Sequence, residues 1–147
     1  MNNHDKLLYA LQRLIGSGFH ITGKEVFYDE GVEAPTQAEI DAEIAKIESG
    51  VYEIGQWRST AYLTRRKFML GIKFYPHGEG TLEDAINTLR EGLQEPDKTV
   101  IGISLDESTH FNRSDQDLIA MATAIGMTAE QVDEFYKWAE NEDWRNA

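Results

Sequence analysis

Asp106 and His110 stand four residues apart in DESTH, the spacing that sets a carboxylate and an imidazole on one face of a helix. Such a pair could hold a metal or pass a proton. Two ligands do not make a metal site, however, and the other histidines, His4, His20 and His77, are far apart, with no HxxxH or HExxH arrangement. The pair therefore reads as a surface acid–imidazole contact. The chain has no cysteine, which excludes thiol catalysis, disulfides and Cys-ligated zinc together. There is no GxSxG, and Gly71, Gly78 and Gly80 do not form a phosphate loop; the GEG at 78–80 reads as a turn. The sequence assigns no catalytic residue, no metal ligand and no cofactor, and the expectation is a protein that is not an enzyme.

Binding chemistry is better represented. The stretch SDQDLIAMATAIGMTAEQVDEFYKWA places Ala122, Gly126 and Val132 at helix-turn-helix spacing. That template mostly describes packing: a small residue lets two helices approach, a glycine turns the chain, and an apolar residue fills the corner. A DNA-reading second helix must also present donors to bases and cations to phosphates. Here it carries Glu130, Asp133, Glu134 and Glu140 against a single Lys137. The whole chain has 14 basic and 26 acidic residues, a net charge of −12. Residues 1–50 carry a net −5, residues 51–98 are neutral, and residues 99–147 carry −7. Nucleic-acid affinity comes largely from neutralising phosphates, so the expectation is a plain helical hairpin and no nucleic-acid partner.

Three features suit protein partners. Ile40, Ile44 and Ile47 form a narrow stripe on an otherwise acidic helix, a seam for a coiled coil or for one neighbouring helix. The seam fits a partner or this chain's own first helix equally. Arg65, Arg66 and Lys67 crowd the first turn of a helix, where the dipole disfavours cations. They pair either with the chain's own acidic ends or with an acidic partner surface. Trp144, near the end of KWAENEDWRNA, is either an interface anchor or folded back on the hairpin.

The elements that position these residues follow from periodicity and caps. Leu7, Leu8, Leu11, Leu14 and Ile15 share one helical face over 4–15, which GSG ends. Strands are predicted at 19–22 and 25–28 around Gly23. Thr36 and Glu39 form a capping box for a helix reaching Glu48. SGVYEIGQW reads as a linker or short strand. Thr64 caps the next helix, with Leu63 and Phe68 as its staple and Phe68, Ile72 and Tyr75 along one face until PHGEG breaks it. Thr81 caps a helix striped by Leu82, Ala85, Ile86 and Leu89, ended by Gly92 and Pro96. Residues 99–105 are ambiguous between strand propensity and a helix face of Val100, Ile103, Glu107 and Phe111. Ser114 begins a helix that Gly126 ends, and Thr128 with Gln131 opens the last helix. Leu118, Ala122, Ile125, Val132, Phe135 and Ala139 are the expected core of the final hairpin.

The fold class expected is mainly α: a small N-terminal α/β module at 1–34, an acidic connecting helix and linker at 35–60, and a C-terminal helical bundle at 61–147 of about four helices, ending in the hairpin. No run approaches transmembrane length, and MNNHDKLLYA lacks the pattern of a signal peptide.

The order APTQAEIDAEIAKIE, LTRRKFMLGI, TLEDAINTLREGL and FNRSDQDLIAMATAIGMTAEQVDEFYKWA resembles small proteins encoded among tailed-phage tail genes, often beside tail-fibre genes. Arg66, Phe68, Leu89, Phe111, Arg113, Gly126, Thr128, Asp133 and Phe135 stand at the resembling positions, over about residues 35–140. FHITGKEVFYDEG is loosely similar to short tail modules of the XkdW type. The chain departs from the pattern at PHGEG and in VIGISLDES, which lacks the Trp usual there. The resemblance favours helix at 99–105. It implies a virion tail component or a tail-fibre assembly chaperone, with a phage tail or fibre protein, or a second copy of the chain, as partner. It implies action in the host cytoplasm or the virion tail, and no catalytic residues. The alternative from a different class is an acidic inhibitor that fills a nucleic-acid groove of a host enzyme.

Overall fold

A computed structural model describes residues 1–144, and the chain divides into two compact units, residues 1–55 and residues 56 onward. The protein is mainly α, 62% helical, with eight helices and a few short strands among the described residues. Among those residues, no helix is long and apolar enough to cross a membrane.

The first unit holds α1 (Asn3–Ile15), β1 (Phe19–Thr22), β2 (Glu25–Tyr28), α2 (Gln37–Glu48) and the start of α3 (Val51–Thr60). Thr22 pairs with Glu25, so the hairpin turns on Gly23 and Lys24; Gly23 has φ 63°, which a primed turn requires at its first central position. α1 and α2 pack together. Ala10 and Leu11 are fully buried on α1, and Ile40 and Ile47 are buried on α2. Leu8 and Leu14, expected on the same inner face of α1, are about one-third exposed instead, at 36% and 37%. α2 thus belongs to the N-terminal unit rather than to a separate connecting segment at 35–60. The expected linker at 49–60 is also different: Gly50, at φ 71°, separates two helices, and VYEIGQWRST is α3, inside which the unit boundary falls.

The second unit runs β3 (Tyr62–Thr64), α4 (Arg65–Phe74), β4 (Pro76–His77), β5 (Gly80–Thr81), α5 (Leu82–Gly92), α6 (Asp97–Glu107), β6 (His110–Asn112), α7 (Gln116–Ala124) and α8 (Ala129–Asn141). Thr64 caps α4 by accepting from the Lys67 N–H, and Thr81 and Thr128 complete full capping boxes with Asp84 and Gln131. The cap of α7 is Asp115, one residue after the expected Ser114; its carboxylate reaches the Asp117 and Leu118 N–H groups. PHGEG is a tight β4–β5 hairpin rather than a simple break. The ambiguous 99–105 is helix, but the expected Val100–Ile103–Glu107–Phe111 face does not form. Leu105 points inward, Val100 and Ile103 are exposed, and Phe111 lies in a strand.

That strand, β6, pairs antiparallel with β3 through Leu63 opposite Phe111. Both side chains are 1% exposed, so the pair is pinned by its one inward position on each strand. Phe111 stacks on Phe68 at 3.9 Å, and Phe135 meets Phe68 edge-on at 5.9 Å. The final hairpin turns at Gly126, with φ 84°, and Met127 N–H closes it on the Ala122 carbonyl at 2.9 Å. α8 packs most closely on α4 rather than on α7, so the expected two-helix core is one part of a shared core.

Gly71 is what permits that α4–α8 contact. A methyl group there would stand 2.9 Å from a Phe135 ring carbon and 3.1 Å from the Ala139 methyl. Gly71→Ala is expected to lose about 1–2 kcal/mol, because overpacking outweighs the gain in helix propensity. Gly102, in the middle of α6, has only the Arg90 guanidinium at 3.6 Å, an ordinary contact. Gly102→Ala should stabilise by about 0.5–1 kcal/mol. Urea unfolding of the two variants checks the opposite signs.

Candidate functional site

The three cations of the first turn of α4 have three different fates. Arg65 reaches across to the end of α6, donating to the Leu105 carbonyl at 2.6 Å and the Ser108 carbonyl at 3.3 Å. It therefore caps carbonyls that the end of that helix leaves without amide partners. Lys67 pairs with the Glu140 carboxylate at 2.8 Å and donates to the Glu140 carbonyl, tying α4 to α8. The Arg66 side chain is exposed and makes no hydrogen bond or ion pair among the described residues. Internal pairing accounts for two of the run, though Arg65 finds carbonyls rather than the acidic residues expected.

Behind this turn lies a buried ion network that the sequence did not suggest. Arg113, 5% exposed, donates Nε to Asp133 Oδ1 at 2.8 Å and Nη2 to the Ala129 carbonyl at 3.0 Å. Arg58, from α3, grips the other oxygen of Asp133 through Nη2 at 2.7 Å and Nε at 2.9 Å. Asp133, counted above among the surface acids of the last helix, is thus an internal bridge joining α8 to the residue after β6 and to α3. Burial alone pushes the Asp133 carboxyl upward, but the guanidiniums of Arg58 and Arg113 outweigh it and hold it below the ordinary range. Beside it, Tyr136 donates its hydroxyl to the Phe111 carbonyl at 3.2 Å, and burial drives its phenol far above the ordinary value.

In front of the network is an open groove of about 400 Å³ between β3 and α8. Trp57 and the half-exposed Tyr62 wall it, together with Thr64, Lys67, Lys137 and Asn141. The Lys137 ammonium lies 5.0 Å from the Trp57 ring centre, a cation–π contact. Arg113 N–H donates to the Ala61 carbonyl and Arg65 N–H to the Thr109 carbonyl, so by alternation Tyr62 turns its backbone groups away from β6. The groove offers aromatic faces, hydroxyls, the Lys137 ammonium and the Lys67–Glu140 ion pair.

The remaining expected site residues are placed elsewhere. In the first unit Ile40 and Ile47 are buried and Ile44 is half-buried, so the isoleucine stripe is largely taken up by the packing of α2 on α1. Glu43 on the same helix is also buried. It accepts from the Tyr52 hydroxyl, from Arg13 at 3.2 Å and from Lys46 at 3.1 Å, while Arg13 lies over the Tyr52 ring at 3.4 Å. The Tyr52 bond foremost, then the cations, hold the Glu43 carboxyl below its usual range. In the second unit Trp144 folds back: its Nε1 donates to the Ala139 carbonyl at 3.0 Å and its ring meets Trp138 edge-on. The tail beyond it lies outside the described residues. Asp106 pairs with Arg90 at 3.1 Å, while His110 sits in β6 against Thr109 and Tyr62, so the acid–imidazole contact does not form.

Among the described residues no cluster of three or more His, Asp and Glu side chains could hold a metal. A small cavity of about 40 Å³ inside the second unit is lined almost wholly by apolar core residues and reads as packing space. No family model, no curated protein and no solved structure matches this chain.

Proposed function

We propose that the chain is a protein-binding component of a tailed-phage tail, joined to another tail or tail-fibre protein through the β3–α4 surface on which Arg66 stands. The resemblance supplies the context, and the observation that carries the reading is how the fold uses the nine resembling residues. Eight of them have internal work. Phe68, Phe111 and Phe135 form the aromatic core, Leu89 packs against it, Arg113 and Asp133 make the buried pair, Gly126 turns the hairpin and Thr128 caps α8. Arg66 has none. It places an unpaired cation in a helix first turn, at a cost of a few tenths of a kcal/mol, where a side chain serving only stability would be neutral or acidic.

An acidic patch on the partner would receive Arg66, with Tyr62 and Trp57 in the neighbouring groove supplying aromatic contact. This replaces docking through the isoleucine stripe, which is largely internal. It also weakens the nucleic-acid mimic, since Glu43 and Asp133, two acids that such a surface would use, are buried and neutralised.

Arg66→Glu is expected to leave stability unchanged or slightly higher while abolishing co-purification with the tail and fibre proteins encoded beside this chain. Arg65→Glu is expected to do the reverse, losing about 1–3 kcal/mol with the α6 carbonyl bonds while association survives in the folded fraction. Full association by Arg66→Glu and by Tyr62→Ala would refute the surface. Finding the chain in purified particles favours a structural component; fibre binding without incorporation favours a chaperone.

A further inference from the structure

We infer that the groove between α5, α6 and α7 is a second docking site, which takes one amphipathic helix of a partner protein with lysine or arginine flanking its apolar face. The residues involved are separate from the Arg66 surface, and the inference does not depend on it.

The residues of α6, DKTVIGISLDE, are apolar on two opposite sides. Leu105, 3% exposed, and Ile101 face the core, while Val100 and Ile103 stand outward at 45% and 51%. A surface helix ordinarily turns a polar side to water, and one that is apolar on both sides suits cover on both. Val100, though not Ile103, lines an open groove of about 330 Å³ together with Leu89 of α5, Leu93 just past its end, Ile101 of α6, and Ala120 and Ala124 of α7. The two alanines are exposed and four residues apart, so they form a smooth lane on which another backbone can approach closely.

The shape of the occupant follows from hydrogen bonding. The walls are helices, whose backbone groups bond internally, apart from Leu93 in the connection after α5, and no β-strand lines the groove to pair with an extended peptide. An occupant that meets its own backbone requirement is a helix, anchored by apolar residues three and four apart.

Its charge follows from the rim. Asp97, the first residue of α6, and Asp117, in the first turn of α7, both line the groove and are exposed. Asp117 accepts only a long bond from the Ser104 hydroxyl, 3.4 Å, and neither carboxylate has a cationic partner among the described residues. Cations on the incoming helix would complete them. A second copy of this chain, at net −12, would instead bring the same acids against each other.

The test uses two synthetic helical peptides with the same leucine-and-alanine face, one flanked by lysine and one by glutamate, titrated against the full chain by fluorescence anisotropy. The lysine peptide should bind at least tenfold more tightly than the glutamate peptide, and its affinity should fall as salt rises. Ala120→Arg, a change at an exposed position that fills the lane, should weaken it at least tenfold with an unchanged melting temperature. Asp97→Lys combined with Asp117→Lys should invert the preference, while Arg66→Glu should leave it unaltered. Binding of neither peptide, equal binding of both, or indifference to Ala120→Arg overturns the inference. So does a concentration-dependent dimer, seen by sedimentation, that Ala120→Arg disrupts.

Discussion

Asp133→Ala will destabilise the second unit by about 3–5 kcal/mol, the cost of leaving a buried charge without its partner. Most of that loss comes from Arg113, which at 5% exposure would keep little beyond its Ala129 carbonyl bond once the carboxylate is gone, whereas the Arg58 side chain is about one-third exposed (32%) and can rehydrate. Domains of this size are stable by about 5–15 kcal/mol, so the variant should unfold at much lower urea. Arg113→Leu combined with Asp133→Leu should recover a large part of the loss, because an apolar replacement removes both desolvation penalties together. A single-variant loss below about 1 kcal/mol would mean that the network is not the lock described here. The same bridge sets an acid limit. The folded Asp133 carboxyl titrates below its unfolded value of about 3.9, so its contribution is complete above that pH and falls away as pH drops through the depressed folded value. Asp133→Asn should flatten this part of the stability–pH curve.

Phe111→Ala should cost about 3–5 kcal/mol as well, by a different mechanism. The ring is 1% exposed, stacks on Phe68 at 3.9 Å, and is the single inward residue of β6 opposite Leu63. Removing it leaves a void where α4 and the β3–β6 pair meet. Phe111→Leu, which keeps most of the volume, should lose only about 1–1.5 kcal/mol. The urea midpoint should shift at an unchanged slope in both cases. Equal effects of alanine and leucine would show that stacking, rather than filled volume, is what the site requires.

Together with the two surfaces proposed above, these changes separate the residues that build the second unit from those it displays. Variants of the core should lower stability and leave the display intact in the folded fraction. Arg66→Glu and Ala120→Arg should do the opposite.

How far this was legible in the sequence depended on range. Thr36, Thr64, Thr81 and Thr128 marked helix starts correctly, because a cap is an interaction between residues three apart. Gly23 and Gly126 marked turns for the same local reason. The β1–β2 hairpin was readable because its two strands adjoin. The β3–β6 pair was not, since three residues show too little alternation and their partners lie almost fifty positions away.

Burial and charge partners were legible least. Asp133 looked like one more acid on an acidic helix, and Glu43 like surface decoration on the isoleucine helix. Which of them would meet an arginine depends on how helices from distant parts of the chain cross. Arg65, Arg66 and Lys67 are neighbours of similar charge, yet successive helical positions point about 100° apart, so each met a different environment. By itself the sequence determined that the protein is mainly α and where the helices opened by Thr36, Thr64, Thr81 and Thr128 start, because those choices rest on local hydrogen bonds and periodicity, while α3 and the strand-prone α6 were not fixed by it. The tertiary structure alone decided that the isoleucine seam is largely internal, that Asp133 is a bridge, and that Arg66, Val100 and Ile103 are left facing outward, because exposure is a property of packing between elements that share no sequence proximity.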